Sequence, residues 1–365
     1  MAVPLFDSQT PLRPLRGRLL DAIATVVDAG TFILGPQLEA FEEEFAAHLR
    51  ARHAIGVANG TEALTIALRA LGAGPGDEVV VPSFSFYASA EAIPPTGATP
   101  VFCDVDPATF CVTADTVRAV LTPRTKAVIA VHLFGNVAPI ADIEGLGVPV
   151  IEDAAQAAGS TAPGGRPGAL GSSASLATFS FYPSKNLPAF GDAGAIATSD
   201  DALAERVRML RFHGSHDKVT YEHVGYNSRL DEMQAAVLRI LLPELEGWAG
   251  HRRQVAEWYA AEGLGELAAL PVPTPGSRPA WHLYVVRHER PDELSAALAA
   301  VGIGSRGYYR RPIHRQPAMA HLGAGAGLPG TDEAARTHLA LPIGAATTRE
   351  QVAEVVAAVR DARLS

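Results

Sequence analysis

A lysine stands between a strand-like run and a glycine-rich turn in FSFYPSKNLPAFGDAGAIATSD, residues 179–200. Partial desolvation lowers an amine's pKa, so Lys185 in this place could form a Schiff base. Taken alone, it reads as a solvated loop charge, because lysine is seldom buried without a purpose. Ser180, five residues earlier at the end of the strand, could donate to a phosphate. In ANGTEAL (58–64) Gly60 turns the chain out of a strand and a helix starts near Thr61. The outward amides and dipole of a helix start, with the Thr61 hydroxyl, would cradle an anion. An ordinary turn capped by Thr61 fits the same residues. In VIEDAAQA (150–157) Asp153 follows a strand, where a nearly buried carboxylate needs a cation or strong donors. Capping the next helix would also satisfy it. In GYNSRLDEMQAA (225–236) Asn227 and Arg229 precede an apolar helix, either as ligand contacts or as a cap and a surface arginine.

These groups need elements to hold them. Between about residues 50 and 200, short apolar runs alternate with helix-like stretches. Strands are expected at 53–59, 79–83, 99–106, 125–135, 148–155, 175–182 and 193–199, with helices at 61–72 and 114–121 and a short one before Pro94. Such alternation implies an α/β fold with a mostly parallel sheet covered on both faces. Ligands of open sheets sit at the carboxyl ends of the strands, which brings Asn59, Asp153 and Lys185 to one rim. Residues 229–263 read as a helix with Leu230, Met233, Val237 and Ile240/Leu241 on one face, kinked or restarted at Pro243. The domain change is placed there, giving a large domain 1–245 and a smaller α/β domain 246–365. The latter holds a strand at 281–288, a helix at 292–302 and a last helix capped by the box TTRE from Thr347 to Glu350. The Gly/Pro stretches 162–171 and 322–330 read as loops.

A chain of 365 residues, 48% hydrophobic and 19% charged, is globular and long enough for two cores. Its net charge of -9 argues against a general binder of nucleic acid or membrane surfaces. Cys103 and Cys111 can make neither a disulfide framework nor an iron–sulfur site, and no metal site is expected. With no signal-like start and no apolar run of spanning length, the expected compartment is the cytosol.

A phosphate seat, a buried carboxylate and a strand-end lysine on one rim suit pyridoxal 5'-phosphate (PLP): lysine at C4′, carboxylate at the ring nitrogen, amides and hydroxyls at the phosphate. The chain also resembles the fold-type I PLP enzymes that aminate nucleotide-linked keto sugars, the DegT–StrS group. The resemblance runs from FILGPQLEAFEEEFA (32–46) through NGTEAL, GDEVVVPSFSF, VHLFG, IEDAAQA, SFYPSKN and GYNSRLDEMQAA to YYRRPIHRQPA (308–318). It implies Lys185 as the covalent lysine and Asp153 as partner of the pyridine nitrogen. Gln156 would lie near the 3-hydroxyl and Phe86 would stack on the ring. Gly60, Thr61, Glu62 (by its amide) and Ser180 would hold the phosphate. Asn227 would reach it from a partner subunit, which implies a homodimer with shared sites. Tyr308, Tyr309 and His314 would border the sugar. Histidine often stands where this chain has Tyr308, so contacts from that loop depart from the family pattern.

The implied reaction moves nitrogen from an amino donor, expected to be L-glutamate, to a keto sugar on thymidine or uridine diphosphate. Arg229, Arg310 and Arg311 are the candidate cations for the pyrophosphate. FHGSHDKVTYEHVGYNSR (212–229) favours C-3 over C-4 amination by resemblance. A PLP-dependent sugar dehydratase would carry histidine in place of Lys185. A cyclitol-ketone aminotransferase shares the motifs and stays open, as does a non-catalytic, PLP-binding regulatory relative.

Overall fold

The structure is a computed structural model that describes residues 3–169, 175–322 and 327–362. Seven strands form one sheet: β1 (His53–Val57), β2 (Glu78–Pro82), β3 (Thr99–Cys103), β4 (Thr125–Val131), β5 (Val150–Asp153), β6 (Leu176–Ser180) and β7 (Gly194–Thr198). Their order is β1-β7-β6-β5-β4-β2-β3. β7 pairs antiparallel with both β1 and β6, and the remaining pairs are parallel. The expected parallel sheet therefore holds except at β7. The two strands flanking β7 still point the same way, so β1, β5 and β6 all end on one edge.

Alternation sends side chains to both faces of this sheet. Ile55, Val57, Leu176 and Ile196 join one apolar cluster, whereas Ala54, Ala177, Phe179, Ala195 and Ala197 join another. In the second cluster Phe41 and Phe45, from helix Pro36–Leu49, meet Phe179 and Phe181 edge-on with centroids 5.0–5.6 Å apart. Each of these buried rings contributes roughly 1.5–3 kcal/mol, which fixes the end of β6 and the start of the Lys185 loop. Glu232, buried at the start of helix Glu232–Leu241, accepts hydrogen bonds from the amides of Gly35, Gln37 and Leu38 at 2.8–2.9 Å. It caps helix Pro36–Leu49 from 194 residues or more away.

Pro243 breaks the long helical stretch as expected, leaving Glu232–Leu241 and Leu245–Ala261 separated by one 3-10 turn. Beyond it, β8 (Tyr284–Arg287) and β9 (His338–Leu341) pair antiparallel. Their Tyr284, Val286, Leu339 and Leu341 form a third cluster with Val255, Tyr259, Leu294 and Val355. Val3 pairs with Ile303, so the first described residues lie on this C-terminal part.

Several expected bounds shift. β3 stops at Cys103 because Asp104 turns away to accept from the amides of Gly330 and Thr331, at the start of helix Pro329–Thr337. That helix begins inside the stretch 322–330 read as a loop; residues 323–326 of that stretch, and 170–171 of the stretch 162–171, lie outside the described residues. The last capping box is Thr348 with Gln351, one residue beyond the one expected. Among the described residues no helix is long and apolar enough to cross a membrane.

Candidate active site

β1, β5 and β6 deliver the candidate residues to one rim. Asn59, two residues past β1, caps helix Gly60–Ala70 instead of Thr61, accepting from the Glu62 amide at 2.9 Å. The Glu62 amide is thereby engaged, while those of Gly60 and Thr61 have no protein partner among the described residues. The helix start lies against the end of β6. A Cβ on Gly60 would come within 2.7 Å of the Ser180 Cβ, closer than real side chains approach. Glycine here lets two free amides, the Thr61 hydroxyl and the Ser180 hydroxyl converge, which suits a phosphate.

Asp153 ends β5 and is 5% exposed. One carboxylate oxygen accepts from the Ser89 hydroxyl at 2.7 Å and the other from the Ala155 amide at 3.2 Å. Ser89 in turn shares a hydrogen bond with Ser85 at 2.9 Å. Neither serine stood out in the sequence, because Ser89, on short helix Ala88–Glu91, meets Asp153 only through the fold, 64 residues apart. Spacing four residues apart was the available signal.

Lys185 lies in a loop pinned on its C-terminal side. Asn186 donates to the carbonyls of Ala158 and Ala280 at 3.2 and 3.3 Å, and Leu187 is fully buried. Burial pulls the lysine pKa from its ordinary value down to about 8, and the Asp153 carboxylate opposes that fall. The fall enlarges the neutral, nucleophilic fraction of this amine near neutral pH relative to a solvated lysine. His282 is buried nearby and is pushed well below the usual histidine range by burial and by the Lys185 and Arg252 charges.

Gln156 accepts from the Phe134 amide at 2.7 Å and donates to the Tyr309 hydroxyl at 3.2 Å. Tyr309 stacks on Phe134 with centroids 6.0 Å apart and planes at 4°. Both residues have positive φ, about 60°. Such backbone costs energy for a non-glycine residue and often marks functional positions. Phe86 is 55% exposed and 6.3 Å from the Tyr309 ring. Phe86, Tyr308, Tyr309, Arg306 and Arg311 line a cavity of ≈ 400 Å³. The Arg306 guanidinium lies over the Tyr308 ring at 5.1 Å.

His314 does not line that cavity: its Nδ1 bonds the Ser83 hydroxyl beyond the end of β2. Arg310 also lines that cavity, where Asp292 at 2.8 Å and His338 hold it. Asn227 is exposed, with its backbone bridged to Phe212, and Arg229 makes no ion pair among the described residues. No hydrogen bond among the described residues joins either to Lys185 or Asp153 of the same chain.

The chain is 47% identical to dTDP-3-amino-3,4,6-trideoxy-alpha-D-glucose transaminase of Streptomyces venezuelae, over 98% of this chain and 96% of that protein. It is 42% identical to UDP-N-acetyl-3-dehydro-alpha-D-glucosamine 3-aminotransferase of Acidithiobacillus ferrooxidans, over 98% and 97%. Its structure superposes on the crystal structure of S. venezuelae DesV, in complex with a ketimine intermediate, with a TM-score of 0.95 and 46% identity, covering 100% and 99% of the two chains. Residues 15–360 match one family throughout, and with the lysine, carboxylate and glycine cradle on a single rim the chain belongs to the DegT/DnrJ/EryC1/StrS aminotransferase family.

Proposed function

We propose that this aminotransferase uses PLP to convert a nucleotide-linked keto sugar to the amino sugar, with L-glutamate as donor. The observation that carries the reading is the desolvated Lys185 amine facing the Asp153 carboxylate, beside a glycine-made anion cradle. When bound, PLP supplies an aldehyde that takes amines covalently and a ring that withdraws electrons from the adjacent carbon. Lys185 Nζ would anchor it there. Freed by an amino donor, Lys185 Nζ would carry the proton between the donor's α-carbon and the cofactor, and with the keto sugar it would work in reverse. Asp153 holds a proton on the ring nitrogen, and Ser89 and Ala155 orient the carboxylate for that task. Gly60, Thr61 and Ser180 hold the phosphate, and the Glu62 amide joins them once Asn59 releases it. Gln156 faces the 3-hydroxyl. Phe86 would cover the ring, a use that fits its exposure beside Tyr309 in the cavity.

The sugar would enter beside Tyr308 and Tyr309, its pyrophosphate near Arg229 and Arg311. Relatives whose names specify a 3-amino or 3-dehydro sugar support amination at C-3. The reading includes a cytosolic homodimer in which Asn227 reaches the partner's phosphate seat. Exposed Val219, Tyr221 and Val224, which precede it, support such a contact. It also divides the chain into a large domain, 1–245, and a small one, 246–365, with the hinge near Pro243. The test is the absorbance of the PLP-loaded protein before and after L-glutamate, then product mass with dTDP- and UDP-linked 3-keto and 4-keto sugars. Loss of the lysine-bound band on glutamate, restored by a 3-keto sugar nucleotide, supports the proposal. A band that no amino donor alters would overturn it.

A further inference from the structure

We infer that Arg252 is the receptor for a carboxylate of the amino donor, an inference that rests on the aminotransferase reading. Arg252 lies on helix Leu245–Ala261 and lines a cavity of ≈ 270 Å³ together with Lys185, Asp7, Ser8, Ser184 and Trp248. This volume is below the ~300–1,000 Å³ typical of sites for drug-sized molecules and suits a small amino acid. The side chain is nine-tenths buried, at 9% exposure. Its Nη1 donates to the carbonyls of Trp281 and His282 at 3.2 and 3.4 Å. Nε is buried without a partner, and Nη2 has none among the described residues.

A guanidinium has five donors and a permanent charge, and burying it without an anion is costly. No carboxylate among the described residues relieves it. Burial alone moves its pKa, down to about 10, so it remains a cation at neutral pH. Asp7 shares the cavity but is exposed, its Oδ1 accepts from the amides of Gln9 and Thr10 at 3.0 and 2.9 Å, and it makes no ion pair with Arg252. The other cation at the wall is Lys185, whose nitrogen would no longer be a free ammonium when it carried the cofactor. His282, whose pKa both Lys185 and Arg252 depress, ties the two groups to one neighbourhood. A donor whose amine reacts at the Lys185 position can therefore set a carboxylate against the open edge of Arg252. Arg252 thereby meets the anion that its burial lacks.

The competing role is a purely structural clamp on Trp281, which has a positive φ of 44°. Calorimetric titration of the PLP-loaded protein with glutarate and with its neutral isostere glutaramide separates the two. Wild type is expected to bind glutarate at least about tenfold more tightly, as for one charge-assisted hydrogen-bonded contact. Arg252→Gln is expected to erase that preference while leaving glutaramide affinity unchanged, with Arg252→Lys in between. Equal glutarate affinity in Arg252→Gln and wild type overturns the inference, and so does a wild type that binds both ligands alike. Should Arg252→Gln fail to fold, Arg252→Lys and the wild-type pair still decide. A glutarate preference that depends on Arg252, in a protein whose cofactor band no amino donor alters, would keep the receptor and sink the transaminase reading.

Discussion

The rim at the ends of β1, β5 and β6 and the segment 306–311 are built differently. On the rim, position comes from strand ends and buried neighbours. Asp153 is 5% exposed, Gly60 touches Ser180, and Lys185 is flanked by anchored Asn186 and Leu187. In the second region, exposed or half-exposed rings and guanidiniums line an open cavity, and Tyr309 is held at positive φ. A fixed reaction centre demands the first construction, because misplacing a proton-transfer group by an ångström is expensive. A wall that only borders a substrate would tolerate a looser construction.

If that contrast is right, damage to the rim should be severe and chemical. Lys185→Ala should lower turnover by about 10³-fold or more, since it removes both anchor and proton carrier. The melting temperature of its cofactor-free form should not fall and should rise below pH 8, because the loop is held by its neighbours and a buried ammonium is removed. Asp153→Asn should cost on the order of 10²-fold in the glutamate half-reaction, and near-normal rates would remove Asp153 from the ring nitrogen. Gly60→Ala should destabilise by about 1–3 kcal/mol through overpacking and weaken cofactor binding. Adding Ser180→Gly should recover part of the stability, a coupling that independent sites would not show.

The lysine also makes a pH prediction. Its folded pKa, about 8, lies below its usual 10.5. The cofactor-free native state therefore binds fewer protons than the unfolded chain between those values. Lys185 destabilises the native protein fully below pH 8, and that penalty fades as pH rises toward 10.5. The rate of PLP recapture should climb with a midpoint near pH 8, and in Asp153→Asn that midpoint should fall, because the carboxylate holds the amine's pKa up. A midpoint near 10.5 would mean a solvated lysine.

Much of the rim was legible in the sequence because it depends on short-range features. A strand, its last residue and the next helix start are neighbours in the chain, so Asn59, Asp153, Ser180 and Lys185 could be placed together from order alone. What stayed hidden depends on distant partners. Glu232 caps a helix nearly two hundred residues earlier, and Ser89 reaches Asp153 across 64 positions. β7 gives no local sign that it runs against its neighbours. Arg310 and Arg311 look identical in YYRRPIHRQPA. Only folding reveals that Asp292 and His338 claim the first and leave the second exposed.

That pair supplies the gentlest test of the contrast. Arg310→Ala removes an ion pair and hydrogen bonds to the carbonyls of Ala335 and His338, so it should lower stability by about 1–3 kcal/mol. Its effect on the glutamate half-reaction should be small, since none of those partners touches the rim. Arg311→Ala leaves the fold alone, because the side chain is exposed and forms no ion pair among the described residues. It should raise KM for the sugar nucleotide a few-fold, more at low salt, as expected for a screened surface charge near a pyrophosphate. If the two effects were exchanged, with Arg310 governing KM and Arg311 governing stability, the second region would not be the wall its geometry implies. The pyrophosphate would then have to displace Asp292 from Arg310 on binding.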